Sequence, residues 1–259
     1  MSRILILREK KEHVAELGRA VTTVKSKQYF VSDTAKPLHT AYGLIQPAEL
    51  QKPDGSAVSS DQGKEFVIFS AEFVDKYKRL RKMPQTIPLK DIGFIIAETG
   101  INGESVVLDA GAGSGALAAA LARVVKRVVT YEVRQDFVQN IKANFSSLGL
   151  TNVELREKNV YEGFDESGAD LVTLDLPEPW KAVGAAATAV KIGGFIISYS
   201  PSVPQVMDFV AEVRKDSRLL LVKTVEQIER LWEVEERRVR PKSISIGHSG
   251  FLTVVRRIQ

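Results

Sequence analysis

The sequence contains no cysteine, only two tryptophans, and only three histidines in 259 residues. Without thiols there can be no disulfide and no thiolate zinc or iron–sulfur centre. His13, His39 and His248 are too scattered to offer ligand spacing, so no metal is expected. Long apolar runs are missing too. No stretch is long enough to span a bilayer, and the opening MSRILILREKKEH holds only the short run ILIL before its charges, so a cytoplasmic protein with no membrane association is expected. Charge is nearly balanced, 36 Lys and Arg against 32 Asp and Glu. That surplus suits a polyanionic partner and an ordinary small-molecule enzyme equally well.

What is present is a chain with 44% hydrophobic residues, enough for a sizeable core, whose pattern changes along its length. Short apolar stretches (ILIL, YFV, YGLI, FVIF) separated by polar links such as QKPDGSAVSSDQGK predict a small domain of short antiparallel strands. SAEFVDKYKRLRKMPQ then reads as a helix or linker ending at Pro84, which places the boundary between residues 1–82 and 83–259. Beyond it strands and helices alternate. SVVLDA, RVVTYE, VELRE, LVTLD and GGFIISYS read as strands, and GALAAALARVV, DFVQNIKANFSSLG and the segments near 181–191 and 203–215 read as helices. Such alternation predicts an α/β fold with a parallel sheet covered on both faces, because parallel strands need crossovers. Two last strands, around RLWEVEERRV and GFLTVVRRI, have no helix between them and are expected to pair antiparallel at an edge. Basic residues cluster at KYKRLRK, at RRVRPK and at Arg256 and Arg257. Taken singly, each cluster is more simply a solvated face.

Ligands on open parallel sheets bind beyond the carboxyl ends of the strands, and unusual residues gather there. LDAGAGSGA follows the first strand, where Gly111, Gly113 and Gly115 permit a sharp turn and close approach of the backbone to a ligand. The pattern also fits a dinucleotide fingerprint, with Ala116 in the last small-residue place and Glu132 on a ribose. Asp109, directly before the glycines, shifts the reading toward S-adenosylmethionine. A carboxylate there sits poorly against a pyrophosphate and well beside a cationic aminoacyl or sulfonium end, while Glu132 can accept from both ribose hydroxyls. At a third strand end, Asn159 and Val160 offer a side-chain amide and a backbone N–H to an adenine ring.

LVTLDLPEPWKAV ends a buried strand on Asp175 and follows it with Pro177 and Pro179, which stiffen the turn. A fixed carboxylate at that tip suits an adenine acceptor. The ring nitrogen N1 has a lone pair and no proton to remove. Its alkylation places positive charge on the ring, which a carboxylate bonded to the exocyclic amine stabilises and orients. Trp180 or Tyr199 could stack on a base, although core packing is the simpler role for each.

With these residues assembled, the sequence resembles the TrmI-type tRNA (adenine-N1)-methyltransferases, most closely their archaeal members. HTAYGLI and GKEFVIF resemble that family's N-terminal β domain and PQTIPLKD its cofactor-covering segment. DAGAGSGAL, YEVRQDF, NVYEG, LDLPEPW and RPKSISIGHSGFLTVVRRI follow in the family's order. Pro88 stands where relatives have an aromatic residue or histidine, and Asn159 where aspartate is common. The resemblance implies a class I S-adenosylmethionine-dependent, Rossmann-like sheet with a small N-terminal β domain. It implies cofactor contacts from Gln85, Ile87, Asp109, Gly111, Ala112, Gly113, Ser114, Gly115, Glu132, Asn159, Val160 and Asp175, with Asp175 catalytic. It further implies S-adenosylhomocysteine as product, no metal, a homotetramer, and tRNA as substrate, methylated at adenosine 58 of the T loop and in some archaeal members also at its neighbour 57. Such an acceptor must be turned out of its stack, an expense of a few kcal/mol that phosphate contacts from the N-terminal domain and basic segments are expected to offset. His248, in GHSGF, could touch RNA or a neighbouring subunit, or simply be a hydrogen-bonded hairpin histidine. The competing readings are a methyltransferase of another RNA, a protein or a small molecule, a nicotinamide oxidoreductase, and a non-catalytic RNA-binding subunit. The intact GAGSG loop and Asp175 argue against the last.

Overall fold

The structure, a computed structural model, describes residues 2–14, 19–81, 86–235, 238–244 and 247–259. The chain forms two compact units, Met1–Arg79 and Leu80–Gln259.

In the first unit the predicted short strands are present. Arg3–Leu7 lies between Lys27–Val31 and Glu65–Ser70, and Ala57–Ser59 pairs with the outer side of Glu65–Ser70, all antiparallel. Two hairpins accompany this sheet, Lys10–Val14 with Arg19–Val24 and Leu38–Thr40 with Gly43–Ile45. Leu5, Leu7, Val31, Ile45, Leu50, Val58, Phe66 and Ile68 form its core. KYKRLRK contributes little helix, since the helical turn Phe73–Tyr77 ends before most of its charges.

The second unit is built on a seven-stranded sheet. Its strands are β1 (Val106–Ala110), β2 (Arg127–Tyr131), β3 (Val153–Arg156), β4 (Ala169–Leu174), β5 (Val190–Ser200), β6 (Leu219–Glu226) and β7 (Phe251–Arg257), in the order β3-β2-β1-β4-β5-β7-β6. The first five are parallel and β7 enters antiparallel between β5 and β6. β1, β2 and β4 are buried almost throughout, which is why their sequences run apolar without alternation.

Five helices are named here: α1 (Leu89–Thr99), α2 (Ala116–Leu121), α3 (Gln135–Leu148), α4 (Val183–Ala189) and α5 (Val203–Val213). α2 is alanine-rich and wholly buried, as close approach to neighbours demands. α3 buries Phe137, Val138, Ile141, Asn144 and Phe145 and stops at Gly149, whose φ of 66° only glycine adopts readily.

Two sequence expectations need correction. LKDIGFIIAET forms α1, a helix ahead of the first strand that the sequence pattern does not predict. The neighbour of β7 at the sheet edge is Leu219–Glu226, not the segment around RLWEVEERRV. That segment folds on itself, Trp232–Glu235 against Arg238–Pro241, because the opposed pairs Glu233/Arg240 and Glu235/Arg238 match opposite charges across the ribbon.

Candidate active site

Beyond the carboxyl ends of the parallel strands lies a cavity of about 680 Å³, walled by the glycine loop after β1 and by the residues following β2, β3, β4 and β5. Gly111, Ala112, Gly113, Ser114, Glu132, Asn159, Val160 and Asp175 all line it, as does Ile87 ahead of α1. Gln85 lies outside the described residues.

The loop is held at several points. The N–H groups of Gly111 and Ala112 donate to the carbonyl of Tyr131 (3.1 and 3.0 Å), tying the end of β1 to that of β2. Asn144 of α3 donates to the Ser114 carbonyl (2.9 Å). Gly115 supports the loop rather than the cavity wall, for a Cβ there would come within 2.6 Å of the Phe145 ring. Gly111, at φ 92°, lies against the Asp175 backbone.

Glu132 is buried and already engaged. Its Oε2 accepts from the Gly113 N–H (3.0 Å), and its Oε1 from those of Val133 (2.9 Å) and Arg134 (3.0 Å). A carboxylate offers about four acceptor sites, so about one remains on Oε2, enough for one hydroxyl but not for the two the sequence suggested.

Asp109, like Gly115, is an expected contact that does not reach the cavity. It is 1% exposed, and its two oxygens accept the hydroxyls of Thr130 (2.7 Å) and Thr173 (2.8 Å), its direct neighbours across β2 and β4. The sheet register turns this carboxylate into an interstrand tie. Burial raises its pKa to about 6, opposed by the two hydroxyls and assisted slightly by the charge of Glu132.

Asp175 follows β4 directly, its N–H bonded to the Ala110 carbonyl (2.9 Å). Burial first, then the charges of Asp109 and Glu132, lift its pKa to about 7. The carboxylates of Glu132 and Asp175 thus line the cavity with Asp109 buried behind them, an arrangement that favours a cation nearby.

Asn159 caps the short helical turn Val160–Glu162 by accepting from the Tyr161 N–H (3.1 Å), while its amide donates to Glu162 (3.2 Å). Trp180 and Tyr199 are not part of the cavity wall. Tyr199 is buried under Gly250, its hydroxyl bonded to Ser249 beside the fully buried Asp91, and burial raises its pKa to about 12. His248 is a hydrogen-bonded loop histidine, joined to Glu226 and to the Pro201 carbonyl.

Sequence reasoning missed Tyr161, Pro201 and Gln205 in the cavity wall. The rule that ligands lie beyond strand ends applied equally to the end of β5, where PSVPQ follows. Among the described residues no group of three or more His, Asp or Glu side chains is placed to hold a metal ion, and no helix is long and apolar enough to cross a membrane.

Strand order, the antiparallel β7 inserted between β5 and β6, and the glycine-loop cavity together define a class I S-adenosylmethionine-dependent methyltransferase fold, accompanied by an N-terminal β-rich region. Residues 78–256 match the family model described as "tRNA methyltransferase complex GCD14 subunit". The chain is 31% identical over 262 residues to the tRNA (adenine(57)-N(1)/adenine(58)-N(1))-methyltransferase TrmI of Methanocaldococcus jannaschii, covering 90% of this chain and 92% of that one. It is 29% identical to the tRNA (adenine(58)-N(1))-methyltransferase TrmI of Thermus thermophilus, covering 85% and 88%. Similar solved structures include a SAM-dependent O-methyltransferase of Thermotoga maritima (TM-score 0.81, 25% identity, 99% and 93% covered) and the tRNA (m1A58) methyltransferase TrmI of Aquifex aeolicus (TM-score 0.78, 21% identity, 99% and 97% covered). The chain belongs to the TrmI/GCD14 family of tRNA methyltransferases.

Proposed function

We propose that the protein is an S-adenosylmethionine-dependent tRNA (adenine-N1)-methyltransferase that modifies adenosine 58 of the T loop and, by its likeness to the archaeal relative, adenosine 57. The observation that carries this reading is Asp175, a carboxylate on a stiff turn lining the same cavity as the glycine loop and Glu132.

The residues suit the cofactor on two counts. A Cβ at Gly111 would strike backbone, so the loop there is bare by necessity, and the carboxylates of Glu132 and Asp175 in the cavity wall suit a cationic ligand better than a pyrophosphate. Bound there, S-adenosylmethionine supplies a methyl group activated on a sulfonium and leaves as S-adenosylhomocysteine. Glu132 takes a ribose hydroxyl with its remaining acceptor site. Asn159, Val160 and Ile87, which line the cavity, would enclose the adenine moiety, and the loop from Gly111 to Ser114 would hold the aminoacyl portion. Asp109 acts through the sheet.

Asp175 accepts a hydrogen bond from the exocyclic amine of the target adenine, which turns N1 toward the methyl group. As N1 gains its bond the ring becomes cationic, and the ionised Asp175 stabilises that charge and can receive the proton the amine then sheds. Affinity for the RNA comes from basic side chains on phosphates. Of the basic clusters, Arg238 and Arg240 pair with Glu233, and Arg256 and Arg257 bond to the carbonyls of Gly193 and Val190, so these four serve the fold first. We include in the proposal a cytoplasmic homotetramer without a metal. The ribbon Trp232–Glu235/Arg238–Pro241 supports self-association, because Trp232, Val234 and Val239 are exposed on it.

The test is mass spectrometry of nucleosides from a defined tRNA after incubation with the cofactor. 1-Methyladenosine in the T loop is expected. Label in no RNA, or on another atom, overturns the reading.

A further inference from the structure

Gln205 stands in the cavity wall beside Asp175, Pro177 and Pro201, and its amide has a fixed orientation. The Ser202 hydroxyl donates to its Oε1 (2.7 Å), and its Nε2 donates to the Pro177 carbonyl (3.0 Å), two residues beyond Asp175. Reversing the amide would set Oε1 against the Pro177 carbonyl, two acceptors facing, so that carbonyl fixes which end of the amide is the donor. Ser202 is the N-cap residue of α5 in extended geometry, yet its side chain makes no capping bond. A serine in that place ordinarily stabilises a helix through its cap. Here its hydroxyl serves the glutamine instead. Ser202 thus adds a second tie to an amide whose direction the Pro177 carbonyl sets.

The amide carries two protons, and the Pro177 carbonyl takes one of them. The other belongs to a side chain that faces the cavity from the β5 side, while Glu132 and Asn159 face it from the β2 and β3 side. Asp175, directly after β4, lies between them in strand order. A cofactor on the glycine loop and Glu132 therefore leaves the region of Asp175, Pro201 and Gln205 for the acceptor.

Resting on the reading given under Proposed function, we propose that Gln205 is a specificity-determining residue that donates to N7 of the target adenine while Asp175 accepts from its exocyclic amine. Adenine presents those two groups side by side, an acceptor at N7 and a donor at N6, on the edge away from the glycosidic bond. N1 lies on the far side of N6 and stays free for the methyl group. A donor and an acceptor in this order select adenine against guanine, whose O6 would meet the Asp175 carboxylate with two acceptors facing. The same amide bond to Pro177 braces the turn that carries Asp175, so one side chain both reads the base and fixes its neighbour.

The experiment uses tRNA assembled by ligation with either adenosine or 7-deazaadenosine at the single target position, and compares kcat/KM for the full-length protein and for Gln205→Ala. Replacing N7 by carbon makes N1 more basic, so chemistry alone would speed methylation. Loss of one hydrogen bond at a desolvated site predicts instead a fall of about tenfold with the wild-type protein. Gln205→Ala should lose a similar factor on normal tRNA and nothing further on the 7-deaza substrate. Equal rates for the two RNAs with the wild-type protein would overturn the proposal, as would losses that multiply in the variant. The wild-type arm needs no mutant to fold. Methylation of normal tRNA at N1 is its internal control. If that fails, the functional reading falls; if only the 7-deaza effect is missing, Gln205 alone has been misassigned.

Discussion

The backbone carbonyl oxygen of Asp175 lies 2.0 Å from the place a β-carbon on Gly111 would occupy. The glycine loop and the carboxylate turn are therefore in direct backbone contact, and neither can move without the other. Gly111→Ala should lower stability by about 2–4 kcal/mol through strained φ and steric overlap, and should abolish cofactor binding. Gly113→Ala, whose β-carbon meets nothing closer than 4.0 Å but whose φ of 54° strains any other residue, should lose less, about 1–2 kcal/mol. Urea melts and equilibrium dialysis of both variants check the contrast.

Asp175 is uncharged below its raised pKa of about 7, and its role as acceptor requires the ionised form. Methyl transfer should rise with pH through this range and level off above it. Asp175→Ala should keep cofactor affinity and lose most turnover. Unchanged turnover would show that the wrong carboxylate has been assigned.

The same shift has a consequence for stability, with the sign opposite to that of a salt-bridged aspartate. An unfolded Asp175 ionises near 3.8 and the folded one near 7, so the favourable contribution of its neutral form is complete below the lower value and is lost as pH rises through the higher. Asp175→Asn should therefore melt above the wild-type protein at pH 8, with the gap closing toward pH 4. A gap independent of pH would contradict the shift.

Thr130→Val and Thr173→Val each remove one hydroxyl from Asp109. Each should cost about 1–3 kcal/mol in a denaturant titration, since an acceptor buried in the sheet loses its donor. Cofactor affinity should change little. A large loss of binding at unchanged stability would return Asp109 to the ligand role its place in the sequence suggested.

Both ring nitrogens of His248 face acceptors, the Glu226 carboxylate at 2.5 Å and the Pro201 carbonyl at 3.0 Å, so only the doubly protonated ring satisfies both. Glu226, and then the carbonyl, raise its pKa above the usual 6.5. The contribution of these bonds is present below that usual value and is lost as pH rises through the raised one. An NMR titration of His248 should give a value above 6.5 that drops in Glu226→Gln. No change in that variant would separate the histidine from the carboxylate.

Much of this arrangement was legible in the sequence because it rests on local rules. The glycines after SVVLD, the prolines after LVTLD and the alternation of strand and helix each reflect a backbone need that short-range chemistry dictates. What was not legible depended on register. Asp109 was read as a ligand because it precedes the glycines, and only its alignment with Thr130 and Thr173 shows the carboxylate occupied within the sheet. Glu132 lines the cavity, but most of its acceptor capacity is taken by backbone donors from Gly113, Val133 and Arg134, which leave no trace in residue type. Leu219–Glu226 was overlooked as the neighbour of β7 because the more strongly patterned WEVE and RVRP drew the pairing instead, and those strands satisfy each other.

The position of β7 also sets the order in which the protein can be made. Phe251–Arg257 is the last strand in the chain yet lies inside the sheet, hydrogen-bonded on both sides. A growing polypeptide on the ribosome can assemble the first five strands, but β5 and β6 must wait with bare edges until that segment leaves the exit tunnel. During this interval the exposed strand edges invite wrong partners. Translation that stalls or stops short of residue 251 thus leaves a chain with every residue of the candidate site and no finished sheet to hold them.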